Sequence, residues 1–148
     1  MLAAAALVAL ASCPSGGDRV RLSKDEYERK VQTLYAGVQS AFRATAGSSG
    51  EELAGRIGLA QKALRNAADE LGAVKAPQEV EAENRALAAA MLEYAEALDA
   101  AVRAASGGDE QAMARFRDAS AHPAVREMAE AAERMKEKGY DLGPIAKD

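Results

Sequence analysis

The stretch PQEVEAENRALAAAMLEYAEALDAAVRAAS, residues 77–106, decides the fold class. Within it Val80, Asn84, Leu87, Met91, Tyr94, Leu98, Ala101 and Ala105 recur at alternating spacings of four and three. That is the period of one face of an α-helix, and it excludes the period-two alternation of a half-buried strand. Pro77 suits the first turn of such a helix, and Ser106-Gly107-Gly108 stops it. At 1.5 Å per residue the spacing predicts one helix about 40 Å long, the longest in the chain.

The same period extends to both sides. Upstream, Leu53, Ile57, Ala60, Leu64, Ala67 and Leu71 form a second stripe, opened by a Ser49/Glu52 capping-box pattern and closed by Gly72. Gly55 and Gly58 lie off this stripe, either for a close backbone approach or as a tolerated cost in helix propensity. Further upstream, Ser23 with Glu26 makes another capping box, and Leu22 with Tyr27 is placed as its hydrophobic staple. Tyr27, Val31, Leu34, Val38 and Ala41 carry that helix until Gly47-Ser48-Ser49-Gly50. Downstream, a helix starting near Asp109 carries Met113, Phe116, Ser120, Ala124, Met128, Ala131 and Met135. Its three successive spacings of four fall on His122-Pro123, where proline removes a backbone donor, so a kink or break is expected. Gly139 ends it.

Short connections between long helices favour antiparallel neighbours. The predicted fold is all-α: an antiparallel four-helix bundle running up-down-up-down over residues 23–139, with its fourth helix kinked or broken near His122-Pro123. Residues 140–148 form a C-terminal tail.

Composition agrees with one domain of this kind. The 148 residues are 49% hydrophobic and 28% charged, enough of each for a core and a solvated surface. Alanine makes up about a quarter of the chain, as in closely packed helices. A net charge of −4 leaves no basic footprint for nucleic acid, so no nucleic-acid partner is expected.

Residues 1–12, MLAAAALVALAS, are uncharged and too short to span a bilayer core of about 30 Å, but fit the apolar part of a secretory signal. No Lys or Arg precedes them, a departure from the basic start such signals carry. Leu10, Ala11, Ser12 and Cys13 resemble the bacterial lipobox, in which the cysteine takes up diacylglycerol and palmitate. A free cysteine is otherwise commonly a small core hydrophobe. Here the one Cys in the chain stands at the lipobox position, before Pro14-Ser15-Gly16-Gly17. The expected organisation is a lipoprotein signal peptide over 1–12 and a lipidated Cys13 with a flexible tether over 13–22. Fully extended, that tether spans at most about 30 Å. It would hold the domain near the extracytoplasmic face of the cell membrane.

The opening Leu22-Ser23-Lys24-Asp25-Glu26-Tyr27 resembles the start of a family of small, uncharacterised helical lipoproteins from actinobacteria. Leu71, Val74 and Pro77 are similar to that family's mid-chain bend, and Gly107-Gly108-Asp109 to its glycine-rich joint. The resemblance implies a cell-envelope lipoprotein with alanine-rich helices and no transferable activity. Similar proteins often carry cysteines at the positions of Tyr35 and near Leu142. It therefore implies that a tail turned back by Gly139 packs Leu142 on or near Tyr35 by apolar contact.

Chemistry-bearing residues are sparse. One His forbids a di-iron pair of Glu-x-x-His motifs, and one His with one lipidated Cys lacks ligands for structural zinc. No cofactor, metal site or catalytic set is expected. His122, before a proline, reads as structural. Glu79, Glu81 and Glu83 read as a solvated face matched to the helix dipole. Asn84 and Tyr94 are the candidate ligand or register positions: Asn84 is fully polar within a core stripe. Tyr27, Tyr35 and Tyr94 are expected in the core with their hydroxyls at the rim, or lining a pocket. The expected function is a non-catalytic binding or interaction module for an envelope protein or small ligand. An enzyme using dispersed carboxylates and a purely structural envelope spacer are the alternatives.

Overall fold

The structure, a computed structural model, describes residues 20–143. The lipobox Leu10, Ala11, Ser12 and Cys13, with the rest of the signal and most of the tether, lies outside the described residues, as does Ile145. Among the described residues every regular element is helical: α1 (Lys24–Arg43), α2 (Gly50–Ala73), a 3-10 turn (Gln78–Val80), α3 (Glu81–Ala97), α4 (Asp99–Ser106), α5 (Ala112–Ser120) and α6 (Pro123–Glu137).

Both halves of the capping box on α1 form: Ser23 N–H donates to Glu26 Oε2 (2.9 Å) and Glu26 N–H to Ser23 Oγ (3.4 Å). The Ser49/Glu52 box does not. Ser49 occupies the N-cap of α2 without a side-chain hydrogen bond, and Glu52 pairs along its own helix with Arg56 at 3.4 Å. The left-handed Gly50 (φ +56°) rotates the chain into α2, so the spacing that suits a box meets the wrong local geometry. The α2 stripe is buried from Leu53 to Leu71, and the helix runs one residue past Gly72.

The single helix expected over 77–106 is divided. A 3-10 turn precedes α3, and regular α geometry lapses at Leu98 (φ −73°, ψ −15°) before resuming in α4. The backbone ladder still crosses the joint, with Leu98 N–H bonded to Tyr94 O (3.2 Å) and Val102 N–H to Leu98 O (3.0 Å). The buried Gln61 of α2 clamps it, its carboxamide donating to Ala95 O (2.7 Å) and to the Asp99 carboxylate. All eight stripe positions from Val80 to Ala105 are buried, so the apolar face survives the interruption.

The break at His122-Pro123 falls as expected. Pro123 opens α6 at a position where its missing N–H costs no helical bond. His122 is the N-cap, its Nδ1 accepting from Ala124 N–H at 3.2 Å. α5 begins at Ala112 rather than near Asp109, because the Asp109 carboxylate turns back to accept from Gln111 N–H (2.8 Å).

Helix packing is closest for α2 with α1, α3 and α4, for α3 with α6, and for α4 with α5. The backbones of α1 and α6 do not pack closely. At one end of the molecule several chain segments meet. Leu22 N–H donates to Lys75 O (2.9 Å), and Arg21 bonds Ala76 O and the Glu81 carboxylate (3.0 Å). Arg21 and Leu22, the last two residues of the expected tether, are thus docked on the bundle. The tail is likewise built into the fold. Gly139 (φ +86°) reverses the chain, Tyr140 N–H closes on Met135 O (3.1 Å), and Tyr140 and Leu142 are buried. The described residues of the tail reach the first turns of α1, and Tyr140 also interacts with Glu79. The Tyr140 ring stands edge-on to Tyr27 (6.0 Å), Asp141 N–H donates to Glu28 Oε1 (2.8 Å), and Gln32 Nε2 donates to Asp141 O (2.8 Å). Tyr35, one turn further along, faces a separate groove with Met128.

Gly55 and Gly58 serve no close approach: a Cβ added at either meets nothing within 4 Å. Gly55→Ala and Gly58→Ala should each raise the unfolding free energy by about 0.5–1 kcal/mol, read from urea melts. A loss in either variant would show that the site needs glycine after all.

Candidate binding groove

Two clusters concentrate the polar and aromatic side chains. The first is sealed. The Tyr27 hydroxyl, fully buried, donates to Asn84 Oδ1 (3.0 Å), with Met135 Sδ 3.4 Å away. Asn84 Nδ2 in turn donates to Leu71 O (2.9 Å), one of the carbonyls that the end of α2 leaves without a helical partner. Asn84 therefore joins three helices through both ends of its amide. No ligand is needed to satisfy it.

Glu83, next to it, departs from the solvated face expected for the three carboxylates. It is buried at 8% exposure, while Glu79 remains exposed. Lys138 beyond the end of α6 holds it, Nζ lying 2.7 Å from Glu83 Oε1 and 2.6 Å from Glu79 O. Glu83 Oε2 is buried without a hydrogen-bond partner among the described residues. The Lys138 hydrogen bond holds the Glu83 carboxyl below its ordinary range against the opposing effect of burial. Burial raises the Tyr27 phenol, and the neighbouring Tyr140 and Glu83 add to the shift. Tyr140 is raised by burial and by Glu79 and Glu28. The phenols therefore stay protonated at neutral pH, and the cluster works as a structural knot.

The second cluster is open. Where α1 and α6 stand apart, a groove of about 190 Å³ runs along the molecule. Tyr35, Val38, Gln39 and Phe42 of α1 form one wall, and Val125 and Met128 of α6 the other. Leu64, Met91 and Tyr94 form its floor. Tyr35, Phe42, Val125 and Met128 are only half-buried. At one end three rings stack: Phe42 on Tyr94 at 5.5 Å and 10°, and Phe42 on Phe116 at 6.1 Å and 22°. Tyr94 is buried, and its hydroxyl lies 3.5 Å from Ser120 Oγ rather than free in the groove. Burial raises its pKa, an effect the Ser120 hydrogen bond opposes.

Of the two candidate positions, Asn84 thus belongs to the sealed knot and Tyr94 to the groove. Sequence reasoning missed Phe42, Phe116, Val125 and Met128 as site residues, since each falls on or beside an apolar stripe and reads as core. Of the three tyrosines expected in the core or lining a pocket, Tyr35 and Tyr94 line the groove, whereas Tyr27 is sealed in the knot. No trio of His, Cys, Asp and Glu among the described residues is arranged to hold a metal ion. No helix among them is long and apolar enough to cross a membrane.

The Glu83–Lys138 pair makes stability depend on pH with a defined sign. Because the folded carboxyl lies below its unfolded value of about 4.3, its contribution is complete above that pH and drains away as pH falls further. Glu83→Gln should flatten this acid limb in thermal melts below about pH 4.3, with little change in its shape near neutrality. An unchanged acid limb would remove Glu83 from the account.

Comparison of the chain with protein-family models, with curated proteins and with solved structures finds no match.

Proposed function

We propose that this protein is a lipoprotein of the extracytoplasmic face of the cell membrane, held there by acyl chains on Cys13. Its bundle, with helices running up-down-up-down, is a non-catalytic binding module that uses the groove between α1 and α6. The observation that carries the binding role is the groove itself: half-buried aromatic and methionine side chains over an apolar floor, in a seam that the backbones leave open. Apolar clefts with few polar groups are the common form of ligand sites.

The lipobox at Leu10, Ala11, Ser12 and Cys13 supports the anchor, as does the likeness of residues 22–27 to the opening of actinobacterial lipoproteins. Arg21 and Leu22, which dock the chain on the bundle, lie at the Lys75 and Ala76 end of the molecule. Tyr35 begins the groove thirteen residues along from Leu22, about 20 Å away at the helical rise. The groove would then sit within a few tens of ångströms of the lipid surface. The supports for the up-down-up-down order are the links among the first turn of α1, the end of α2, the start of α3 and the segment after α6, all at one end.

Two measurements test the reading. Cys13→Ala should abolish incorporation of labelled fatty acid, and label persisting on that variant would overturn the anchor. An apolar fluorescent dye should bind the full chain at one equivalent, and Val125→Trp, which fills the groove from its half-exposed wall, should remove that binding while leaving the melting point within a few degrees. Dye binding unaffected by Val125→Trp would place the site elsewhere.

A further inference from the structure

The groove's dimensions and its rim narrow the ligand. At about 190 Å³ it falls below the roughly 300–1,000 Å³ of pockets for drug-sized molecules and just above the roughly 150 Å³ apolar cavity that admits benzene. It is also elongated: Tyr35 and Phe42, both on one wall, are about 10 Å apart along α1. An open trough of about 10 Å matches the length of about eight carbons of one extended hydrocarbon chain, so a longer tail would extend past its end, and a partner helix about 10 Å across does not fit inside it. Met91 on the floor and Met128 on the wall are unbranched and adaptable, suited to a flexible hydrocarbon.

The polar atoms sort by position. The Tyr94 hydroxyl is directed to Ser120, so the floor offers nothing to a polar head. At the Phe42 end the rim carries Arg43, whose guanidinium donates to Gln39 Oε1 at 2.8 Å. Gln39 itself lines the groove, so the cation is hydrogen-bonded to a lining residue although Arg43 does not itself line the groove. Arg43 is exposed and has no carboxylate within ion-pair distance among the described residues. Arg65, Arg115 and Arg126, also exposed, do have one. The exposed Arg29, Lys62, Arg85, Arg103 and Arg117 resemble Arg43 in this respect among the described residues. What sets Arg43 apart from them is its hydrogen bond to a residue that lines the groove.

From this juxtaposition we propose that the groove binds one acyl chain bearing an anionic head, with the chain between α1 and α6 and the head met by Arg43. The proposal rests on the groove being the binding site and adds the class of ligand. The occupant proposed is a free amphiphile.

The test uses the full chain carrying Cys13→Ala, so that it brings no acyl chain of its own, and dodecanoate below its micelle concentration. Calorimetry should show one equivalent bound. Val125→Trp should abolish the signal, Arg43→Gln should weaken it about tenfold, and Arg43→Lys should restore most of the loss. Dodecyltrimethylammonium, with the same tail and the opposite charge, should bind at least tenfold more weakly. Because Arg43 also complements the negative end of the α1 dipole, melting points of the variants separate loss of binding from loss of fold.

Equal affinity for the two head groups, or no effect of Arg43→Gln, would overturn the proposal. So would a dimer that Val125→Trp dissociates with no uptake of dodecanoate, which would make a second copy the occupant. Binding confined to phosphatidylglycerol vesicles, with none to the free amphiphile, would assign the surface to a bilayer and also overturn it. If the dye binds in the groove and dodecanoate does not, only the ligand class fails; if neither binds, the binding role fails with it.

Discussion

The amide of Asn84 is the interaction on which the arrangement depends. It accepts from the Tyr27 hydroxyl of α1 and donates to the Leu71 carbonyl at the end of α2, while its own backbone belongs to α3. Each partner is a buried polar group that would cost about 1–3 kcal/mol if left unpaired. A slip of any of these helices by one turn breaks at least one bond. An all-apolar stripe of alanine and leucine has no comparable means of rejecting a shifted register, because small side chains pack nearly as well one turn along. Met135 beside the Tyr27 hydroxyl and Tyr140 edge-on to its ring bring α6 and the tail to the same point.

That knot closes one end of the seam between α1 and α6, and the ring stack of Phe42, Tyr94 and Phe116 stands toward the other. The ring stack ties α1 to α3 and α5, not to α6, so the backbones of α1 and α6 stay apart between the two clusters. The groove follows from this. Its walls carry Tyr35, Phe42 and Met128, whereas α2 and α3, whose buried residues include Ala60, Ala67, Ala68 and Ala88, come together closely. Small buried side chains permit the close approach of α2 and α3, and bulkier ones line the open seam.

Much of the site lay within reach of the sequence without being separable from the core. Tyr35, Phe42, Phe116 and Met128 obey the same helical period as residues that end fully buried, and periodicity reports which face points inward but not how far apart two inward faces stand. Glu83 is the opposite case. It follows the charge pattern of a helix start and reads as solvated, yet Lys138, fifty-five residues away, comes over it and makes burial tolerable. Ser49 and Glu52 have the spacing of a capping box and do not form one, because Gly50 takes a left-handed conformation there.

The sequence by itself determined the helical class, the apolar stripes, the α1 capping box and the break before Pro123, since each depends on contacts within a few residues along the chain. Tertiary structure alone decided the lapse at Leu98 beneath Gln61, the burial of Glu83, the docking of Arg21, Leu22 and the tail, and the open seam. These depend on distances between helices, which follow from the summed bulk of facing side chains and from hydrogen bonds between residues far apart in sequence. A one-dimensional pattern carries the period of a face, while the gap between two faces exists only once both are in place.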